Sequence, residues 1–258
     1  MATVKLSFLQ HICKLTGLSR SGRKDELLRR IVDSPIYPTS RVLGIDLGIK
    51  NFSYCFASQN EDSKVIIHNW SVENLTEKNG LDIQWTEDFQ PSSMADLSIQ
   101  LFNTLHEKFN PHVILMERQR YRSGIATIPE WTLRVNMLES MLYALHYAEK
   151  RNSIEQKIQY PFLLSLSPKS TYSYWASVLN TKASFSKKKS RVQMVKELID
   201  GQKILFENEE ALYKWNNGSR VEFKKDDMAD SALIASGWMR WQAQLKHYRN
   251  FCKQFLKQ

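Results

Sequence analysis

The stretch RVLGIDLGIKNFSYCF, residues 41–56, decides how the whole sequence is interpreted. Its first half, VLGIDL, is a short and almost continuously apolar run, which is typical of a buried central strand. The glycine-containing GIK segment then allows a turn, and NFSYCFAS follows as a hairpin partner. Asp46 comes where the first strand is expected to end. Open α/β sheets bind ligands beyond the ends of their strands, so Asp46 is a candidate functional residue.

The elements that follow Asp46 predict the fold class. KVIIHNWSV predicts a third strand, MADLSIQLFNTLHEKF a helix, and PHVILMER a fourth strand that closes on Glu117. A long helix over about residues 129–150 and the strand PFLLSLS come next. We therefore expect an α/β fold with a mixed five-stranded sheet flanked by helices. If the strands that end at Asp46 and Glu117 are neighbours, their side chains emerge side by side.

A small helical unit precedes this sheet. Residues 4–33 predict two amphipathic helices joined by the basic turn GLSRSGRK. SPIYPTS, residues 34–40, contains two prolines and predicts a linker. The chain is accordingly divided into a helical hairpin, residues 1–36, and an α/β domain, residues 37–258.

The charge balance indicates the chemistry of the partner. Lys and Arg number 36 against 27 for Asp and Glu, a formal net charge of +9, which favours a polyanion such as nucleic acid. The three cysteines show no CxxC spacing, so neither a disulfide framework nor a zinc site is expected. No apolar run has the length of a membrane span, and no membrane partner is expected.

A third acidic segment, DDMAD, opens a helical pattern near the end of the chain. Asp226 and Asp230 are four residues apart and Asp227 and Asp230 three apart, so either pair shares one face of the first turn. Spacing does not choose between the pairs. We take Asp226 as the partner of Asp230 and keep Asp227 as the alternative. Each aspartate alone is also explained by capping of the helix N-terminus.

Together, these carboxylates require a cation. Two carboxylates about 4 Å apart repel by about 4 kcal/mol at an effective dielectric constant of 20, so a cluster of three or four needs compensation. Arg118 and Arg120 are candidates, but an all-oxygen cluster also suits Mg²⁺ or Mn²⁺, and two such ions can drive phosphodiester hydrolysis. The candidate metal ligands are Asp46, Glu117, Asp226, Asp227 and Asp230.

Three motifs carry a resemblance to a known family. GIDLG in the first strand, ILMERQ at the end of the fourth, and DDMADSALIA opening the last helix resemble the ribonuclease H-like superfamily and its RuvC-like Holliday-junction resolvases. The hairpin resembles the SAP motif through Gly17-Leu18, Gly22, Lys24 and Leu27-Leu28. A SAP-like hairpin before such a domain resembles the fungal mitochondrial cruciform-cutting endonucleases. An ordinary hairpin packed on the larger domain is the alternative for residues 4–33.

The resemblance implies a function and a set of roles. It implies a structure-selective endonuclease that resolves four-way DNA junctions by paired symmetric nicks, leaving 5′-phosphate and 3′-hydroxyl ends, in mitochondrial DNA recombination and repair. It also implies Mg²⁺ as cofactor, with Mn²⁺ as a substitute and two ions per site. The catalytic residues that it implies are Asp46, Glu117, Asp226 and Asp230.

The junction substrate has consequences for DNA contacts and assembly. Arginines and lysines grip phosphates, and an aromatic ring stacks on an unpaired base. The candidate DNA contacts are Lys24, Arg118, Arg120, Tyr121, Arg122, Lys187, Lys188 and Lys189. Because a four-way junction is nearly two-fold symmetric, a homodimer is expected. The long helix, with Leu133, Met137, Met141, Leu142 and Leu145, is a candidate interface, and core packing is its alternative.

Two other functions are compatible with parts of the sequence. The first is a non-catalytic protein on the same fold that binds DNA junctions. The second follows from GIDLG, which also resembles the first phosphate loop of actin-like ATPases and sugar kinases. Those proteins use two such domains and a second glycine-rich loop, and a chain of 258 residues with only nine glycines is too short and too poor in glycine for both.

Overall fold

A six-stranded sheet with helices on both faces forms the body of the molecule. The computed structural model describes residues 4–77, 79–85, 88–119, 129–156, 159–178, 188–217 and 224–256. The strands are β1 (Val42–Asp46), β2 (Phe52–Gln59), β3 (Val65–Glu73), β4 (Val113–Glu117), β5 (Phe162–Leu166) and β6 (Ile204–Phe206). The helices are α1 (Leu6–Leu15), α2 (Lys24–Asp33), α3 (Pro91–Phe109), α4 (Glu130–Glu155), α5 (Pro168–Val178), α6 (Lys188–Asp200), α7 (Glu209–Asn217) and α8 (Lys225–Lys253).

The sheet has the strand order β5-β4-β1-β2-β3-β6. β1, β2 and β3 form an antiparallel meander, while β4 pairs parallel to β1 and β5 parallel to β4. This mixed α/β architecture confirms the predicted fold class. The predicted strand count of five is wrong, because β6 adds a sixth strand parallel to β3 at the sheet edge. A strand of three residues is too short to leave a recognisable pattern in the sequence.

Alternation along the central strands separates two hydrophobic cores. In β1, Val42 packs on the face covered by α8, and Leu43 and Ile45 pack on the face covered by α3 and α4. Successive side chains of a strand point to opposite faces, so Asp46 shares the α8 face with Val42. The same alternation in β4 directs Glu117 to that face.

The helix α8 lies directly on the central strands. Its residues from Met228 to Met239 are all buried, which is typical of a helix enclosed by protein on every side. Gly44 allows the close approach, because a Cβ at this position would lie 2.8 Å from the carbonyl oxygen of Ser231. The indole N–H of Trp70 in β3 donates to the carbonyl oxygen of Met228 at 2.9 Å and fixes the first turns of α8 against the sheet.

The N-terminal hairpin packs on the far end of the same helix. Leu9, Ile12 and Leu27 of α1 and α2 form a separate buried cluster with Leu245 and Cys252 of α8. The two helices agree with the prediction for residues 4–33, and the contact with α8 agrees with the alternative of a packed hairpin. The division of the chain at residue 36 stays a prediction. No helix in the described part of the chain is long and apolar enough to cross a membrane.

Two histidines are packed between α3, α4 and the segment before β5. The rings of His106 and His146 each lie against Tyr160, with centroid separations of 5.5 and 5.0 Å. Burial lowers the pKa of each histidine to about 4, and the charge of Lys150 and the neighbouring imidazole contribute at His146. Protonation of either ring therefore opposes folding.

We expect this pair to weaken the protein in mild acid. Because the folded pKa lies below the unfolded value, the cost is absent above about pH 6.5 and grows as pH falls towards 4. It should reach on the order of 1 kcal/mol per histidine at pH 5. His106→Phe keeps an aromatic ring and removes one proton site, so it should lose less stability between pH 7 and pH 5 than the native protein in urea unfolding. An equal loss in both proteins would contradict this interpretation.

Candidate metal centre

The strand ends bring two predicted acidic residues to one edge of the sheet. β1 and β4 are parallel neighbours, with Ile45 beside Met116, so Asp46 and Glu117 follow next to each other in register. The condition under which the sequence predicts that the two side chains emerge side by side is therefore met. Both carboxylates lie on the face that α8 covers, because both follow the same alternation. The first turn of α8 therefore meets the two strand ends.

The aspartates of α8 complete the acidic group. Asp46, Asp227 and Asp230 each offer a carboxylate oxygen, and these oxygens all lie within 4.8 Å of one another. Asp226, at the start of the same helix, is outside this three-residue group. The geometry thus favours Asp227 as the partner of Asp230, whereas the sequence interpretation favoured Asp226. Residues three and four apart both share one helix face, so spacing alone does not distinguish Asp226 from Asp227. The position of β1 next to the first turn of α8 distinguishes them, because it brings Asp46 close to Asp227.

The negative charge of the acidic group is only partly compensated, as the raised pKa of Asp46 indicates. Burial raises the pKa of Asp46 well above its ordinary value, and the charges of Glu117, Asp230 and Asp227 raise it further. Arg191 lowers it by a smaller amount. Burial also raises the pKa of Asp230, which is 3% exposed. At neutral pH the ionised group therefore costs folding free energy, which a further cation would recover.

One arginine and one tyrosine compensate part of the negative charge of the acidic group. Arg191 of α6 forms an ion pair with Asp230, and its guanidinium also donates to the hydroxyl of Tyr172 at 2.8 Å. The Tyr172 hydroxyl donates to the other oxygen of Asp230 at 2.8 Å. In the sequence, Arg191 follows the basic run of Lys187, Lys188 and Lys189, which suggests a phosphate contact, and Tyr172 belongs to no motif. The contacts of Arg191 and Tyr172 with Asp230 join different helices, so no spacing pattern in the sequence predicts them.

The donor set fits a hard divalent cation. Carboxylate oxygens from two elements converge within 4.8 Å, without sulfur or imidazole among them, and the buried charge of Asp46 favours an added positive charge. Mg²⁺ and Mn²⁺ prefer such oxygen ligands, while zinc is more often held by cysteine and histidine. Asp46, Asp227 and Asp230 are the residues that would hold the ion.

The remaining predicted contacts fall in three places. Arg118 is exposed directly after β4, and Lys189 is exposed in the first turn of α6, two residues before Arg191. Lys24 is exposed at the start of α2, in the hairpin. Arg120, Tyr121, Arg122 and Lys187 lie outside the described residues, as does the side chain of Lys188.

Beside the acidic group lies a pocket, and the sequence did not predict this pocket. It encloses about 360 Å³ between the residues after β1 and the first turns of α4, and both Asp46 and Asp227 line it. Trp131 contributes an indole ring that is 59% exposed. The only signal in the sequence was an aromatic residue at the predicted start of a helix, which is more often explained by packing.

Comparisons with known proteins found a matching family model and several similar structures. The family described as mitochondrial resolvase Ydc2 / RNA splicing MRS1 matches residues 42–248. The crystal structure of the yeast mitochondrial Holliday junction resolvase Ydc2 is 90% identical, covers 97% of this chain and 100% of its own, and superposes with a TM-score of 0.86. Similarity to that protein thus extends over nearly the whole chain.

Two more distant structures have lower similarity. RuvC of T. thermophilus in complex with a Holliday junction substrate is 13% identical over 78% of this chain and 94% of its own, with a TM-score of 0.44. The fowlpox virus resolvase with Holliday junction DNA is 12% identical over 77% of this chain and 96% of its own, with a TM-score of 0.45.

We expect Asp46→Asn to stabilise the metal-free protein. The substitution removes a buried charge that three neighbouring carboxylates repel, so the unfolding temperature in chelator should rise by about 2–4 °C, equivalent to roughly 1 kcal/mol. Because the pKa of Asp46 is raised, its ionisation costs more as pH increases, and the gain should be larger at pH 8 than at pH 5. Thermal unfolding followed by circular dichroism measures both effects.

Added Mg²⁺ provides the second half of this test. It should raise the unfolding temperature of the native protein more than that of Asp46→Asn, because the variant has lost one ligand. Asp96→Asn, at an exposed position of α3, is the matched control and should behave like the native protein. A variant that is less stable than the native protein in chelator would show that the acidic group is not under charge strain.

Proposed function

The chain belongs to the mitochondrial resolvase Ydc2 / RNA splicing MRS1 family, and we infer that it is an endonuclease. Its 90% identity to a mitochondrial Holliday junction resolvase supports this inference. It resolves Holliday junctions and acts in mitochondrial DNA recombination. The observation that carries the catalytic assignment is the convergence of Asp46, Asp227 and Asp230 within 4.8 Å, beside Glu117.

The proposed chemistry is metal-dependent hydrolysis of a phosphodiester. When bound, Mg²⁺, or Mn²⁺ in its place, would supply an activated water and stabilise the leaving oxygen, and a pair of ions per site is proposed. The products are expected to carry 5′-phosphate and 3′-hydroxyl ends. Asp46, Asp227 and Asp230 are the proposed ligands, and Glu117 lies in register beside Asp46 as the fourth catalytic carboxylate.

Arg191 and Tyr172 are proposed to hold Asp230 in position. Their hydrogen bonds engage both oxygens of this carboxylate and fix its orientation towards Asp46. The guanidinium also adds positive charge at the place where a DNA phosphate must approach four carboxylates. Without such a charge, the acidic group would repel its own substrate.

The proposed DNA contacts lie at the metal centre and on the N-terminal hairpin. Arg118 and Lys189 are exposed on segments that lead directly to Glu117 and Arg191, which supports the proposal that both bind phosphates beside the scissile bond. Lys24 lies on the hairpin, at the other end of α8, and is proposed to bind a more distant part of a DNA arm. The net charge of +9 supports binding along an extended surface.

The alternative of a non-catalytic junction-binding protein has less support. Such a protein has no need for three or four carboxylates, which cost stability and repel DNA. Their retention at the ends of β1, β4 and the start of α8 therefore favours catalysis.

A homodimer is proposed because two symmetric nicks require two active sites. An apolar groove of about 320 Å³ runs between α3 and α4, and small side chains such as Ala144 and Ala148 line it. Exposed apolar residues continue along this face, with Ile99 at 44% and Leu133 at 48% exposure. This face, part of which belongs to the helix predicted from the sequence as an interface, is suited to a second copy of the chain.

The choice between the two aspartates can be tested by cleavage of an end-labelled four-way junction. Asp227→Asn should lower the cleavage rate by at least about 100-fold, since changes even to outer-shell groups of metal sites cost about 10–100-fold. Asp226→Asn, its direct neighbour, should change the rate little. The reverse order would make Asp226 the ligand. Each variant is measured with Mg²⁺, with chelator, and on a linear duplex of the same arm sequence.

The same assay tests the proposed function. Paired nicks in the junction, dependent on the metal and absent from the linear duplex, are expected from the native protein. Tight junction binding without cleavage in Mg²⁺ or Mn²⁺ would support the non-catalytic alternative. Equal cleavage of both substrates would indicate a general nuclease.

Assembly can be tested by charging the groove. Ile99→Glu should shift the native dimer towards the monomer mass in sedimentation velocity and reduce paired nicking, because the interface would bury an unpaired carboxylate. Tyr213→Glu, at a position that is 65% exposed on α7, is the matched control and should remain dimeric. A dimer unaffected by Ile99→Glu would exclude this face as the interface.

A further inference from the structure

The lining of the pocket beside the metal centre combines apolar and polar residues. Phe89, Val135 and the exposed residue Trp131 contribute apolar surface, while Asn51 and Gln119 are lining residues whose side chains carry amide groups. Amides can donate and accept hydrogen bonds at the edge of a base, and an indole ring provides a flat surface for stacking. A nucleobase has this same combination of apolar faces and a polar edge.

The position of the pocket indicates which molecule fills it. Asp46 and Asp227 belong both to the acidic group and to the pocket lining, so an occupant lies next to the scissile phosphate. Lys50 is exposed at the rim and adds positive charge for a neighbouring phosphate. An occupant covalently linked to that phosphate satisfies both conditions, and the nucleotide beside the cut does so.

The side chain of Trp131 is largely exposed and does not belong to the buried core of the protein. It lies in the first turn of α4, whose buried residues include Val135, Leu138 and Leu142. A large aromatic ring on this edge, 59% exposed beside a proposed DNA site, suits a ligand that arrives from solution. Arg134, one turn further along α4, lies against the ring of Phe89, and both residues line the pocket.

We propose that this pocket takes one unpaired base of the DNA junction at the crossover and stacks it on Trp131. The inference rests on the proposed function, since it concerns the same DNA substrate. A base within a linear duplex is held by stacking and pairing and must be extracted before it can enter such a pocket. Bases at a crossover are already less constrained, so they enter the pocket at a lower cost in free energy. The pocket therefore favours binding of a junction over a linear duplex next to the metal centre.

The test is a cycle that combines a protein change with a DNA change. Junctions carry a single abasic nucleotide at each position around the crossover in turn, and affinity is measured in chelator, where no cutting occurs. Trp131→Ala should bind the intact junction about ten-fold more weakly than the native protein, a typical loss for one stacked base. At one abasic position the native protein should show the same loss, and Trp131→Ala should lose nothing more.

Two variants separate stacking from folding. Trp131→Phe keeps an aromatic face and should recover most of the affinity. Tyr147→Ala removes another exposed aromatic residue of α4, 52% exposed and outside the pocket lining, and should bind like the native protein. All variants should bind the linear duplex equally and unfold at similar temperatures, because the changed side chains are exposed.

The outcomes distinguish this inference from the proposed function. Independent, additive losses from Trp131→Ala and every abasic position would overturn the base pocket, even where the native protein binds and cuts the junction normally. The same holds if no abasic position weakens native binding. Failure of the native protein to bind or cut any junction would instead refute the proposed function and the pocket with it.

Discussion

The mutual repulsion of four carboxylates is the constraint on which the rest of this structure depends. Asp46, Glu117, Asp227 and Asp230 lie at the meeting point of two strand ends and one helix, where burial and like charge raise the pKa of Asp46. Folding alone would favour their removal. The contacts of Arg191 and Tyr172 with Asp230 offset part of the cost, and a bound cation would offset more.

The fold keeps this strained group in place through contacts that are themselves insensitive to charge. The parallel register of β1 and β4 sets two carboxylates side by side, and strand alternation turns both towards α8. Gly44 removes the side chain that would hold α8 away from β1. The bond from Trp70 to Met228 then fixes the first turns of the helix. The acidic group is therefore positioned by backbone geometry and apolar packing.

Local patterns in the sequence predicted the parts of the molecule that depend on local interactions. The apolar runs ending at Asp46 and Glu117 identified two strands that end in carboxylates, and the structure shows that these strands are neighbours. The choice between Asp226 and Asp227 depends on where β1 lies relative to the first turn of α8, which helical spacing does not contain.

The interactions that the sequence did not reveal are long-range. Arg191 reaches Asp230 from another helix, and β6 is a three-residue strand that pairs with β3 at the edge of the sheet. The pocket at Trp131 requires α4 and the segment after β1 to come together, and no spacing within either one predicts that contact.

The length of α8 fixes a distance within the enzyme. The helix carries Asp230 near one end and contacts the N-terminal hairpin through Leu245. At ~1.5 Å of rise per residue, the two positions are separated by about 22 Å along the axis. That corresponds to roughly six or seven base pairs of duplex at ~3.4 Å per base pair. Since a buried helix does not stretch, DNA held at the hairpin would be cut at a constant number of base pairs from that contact.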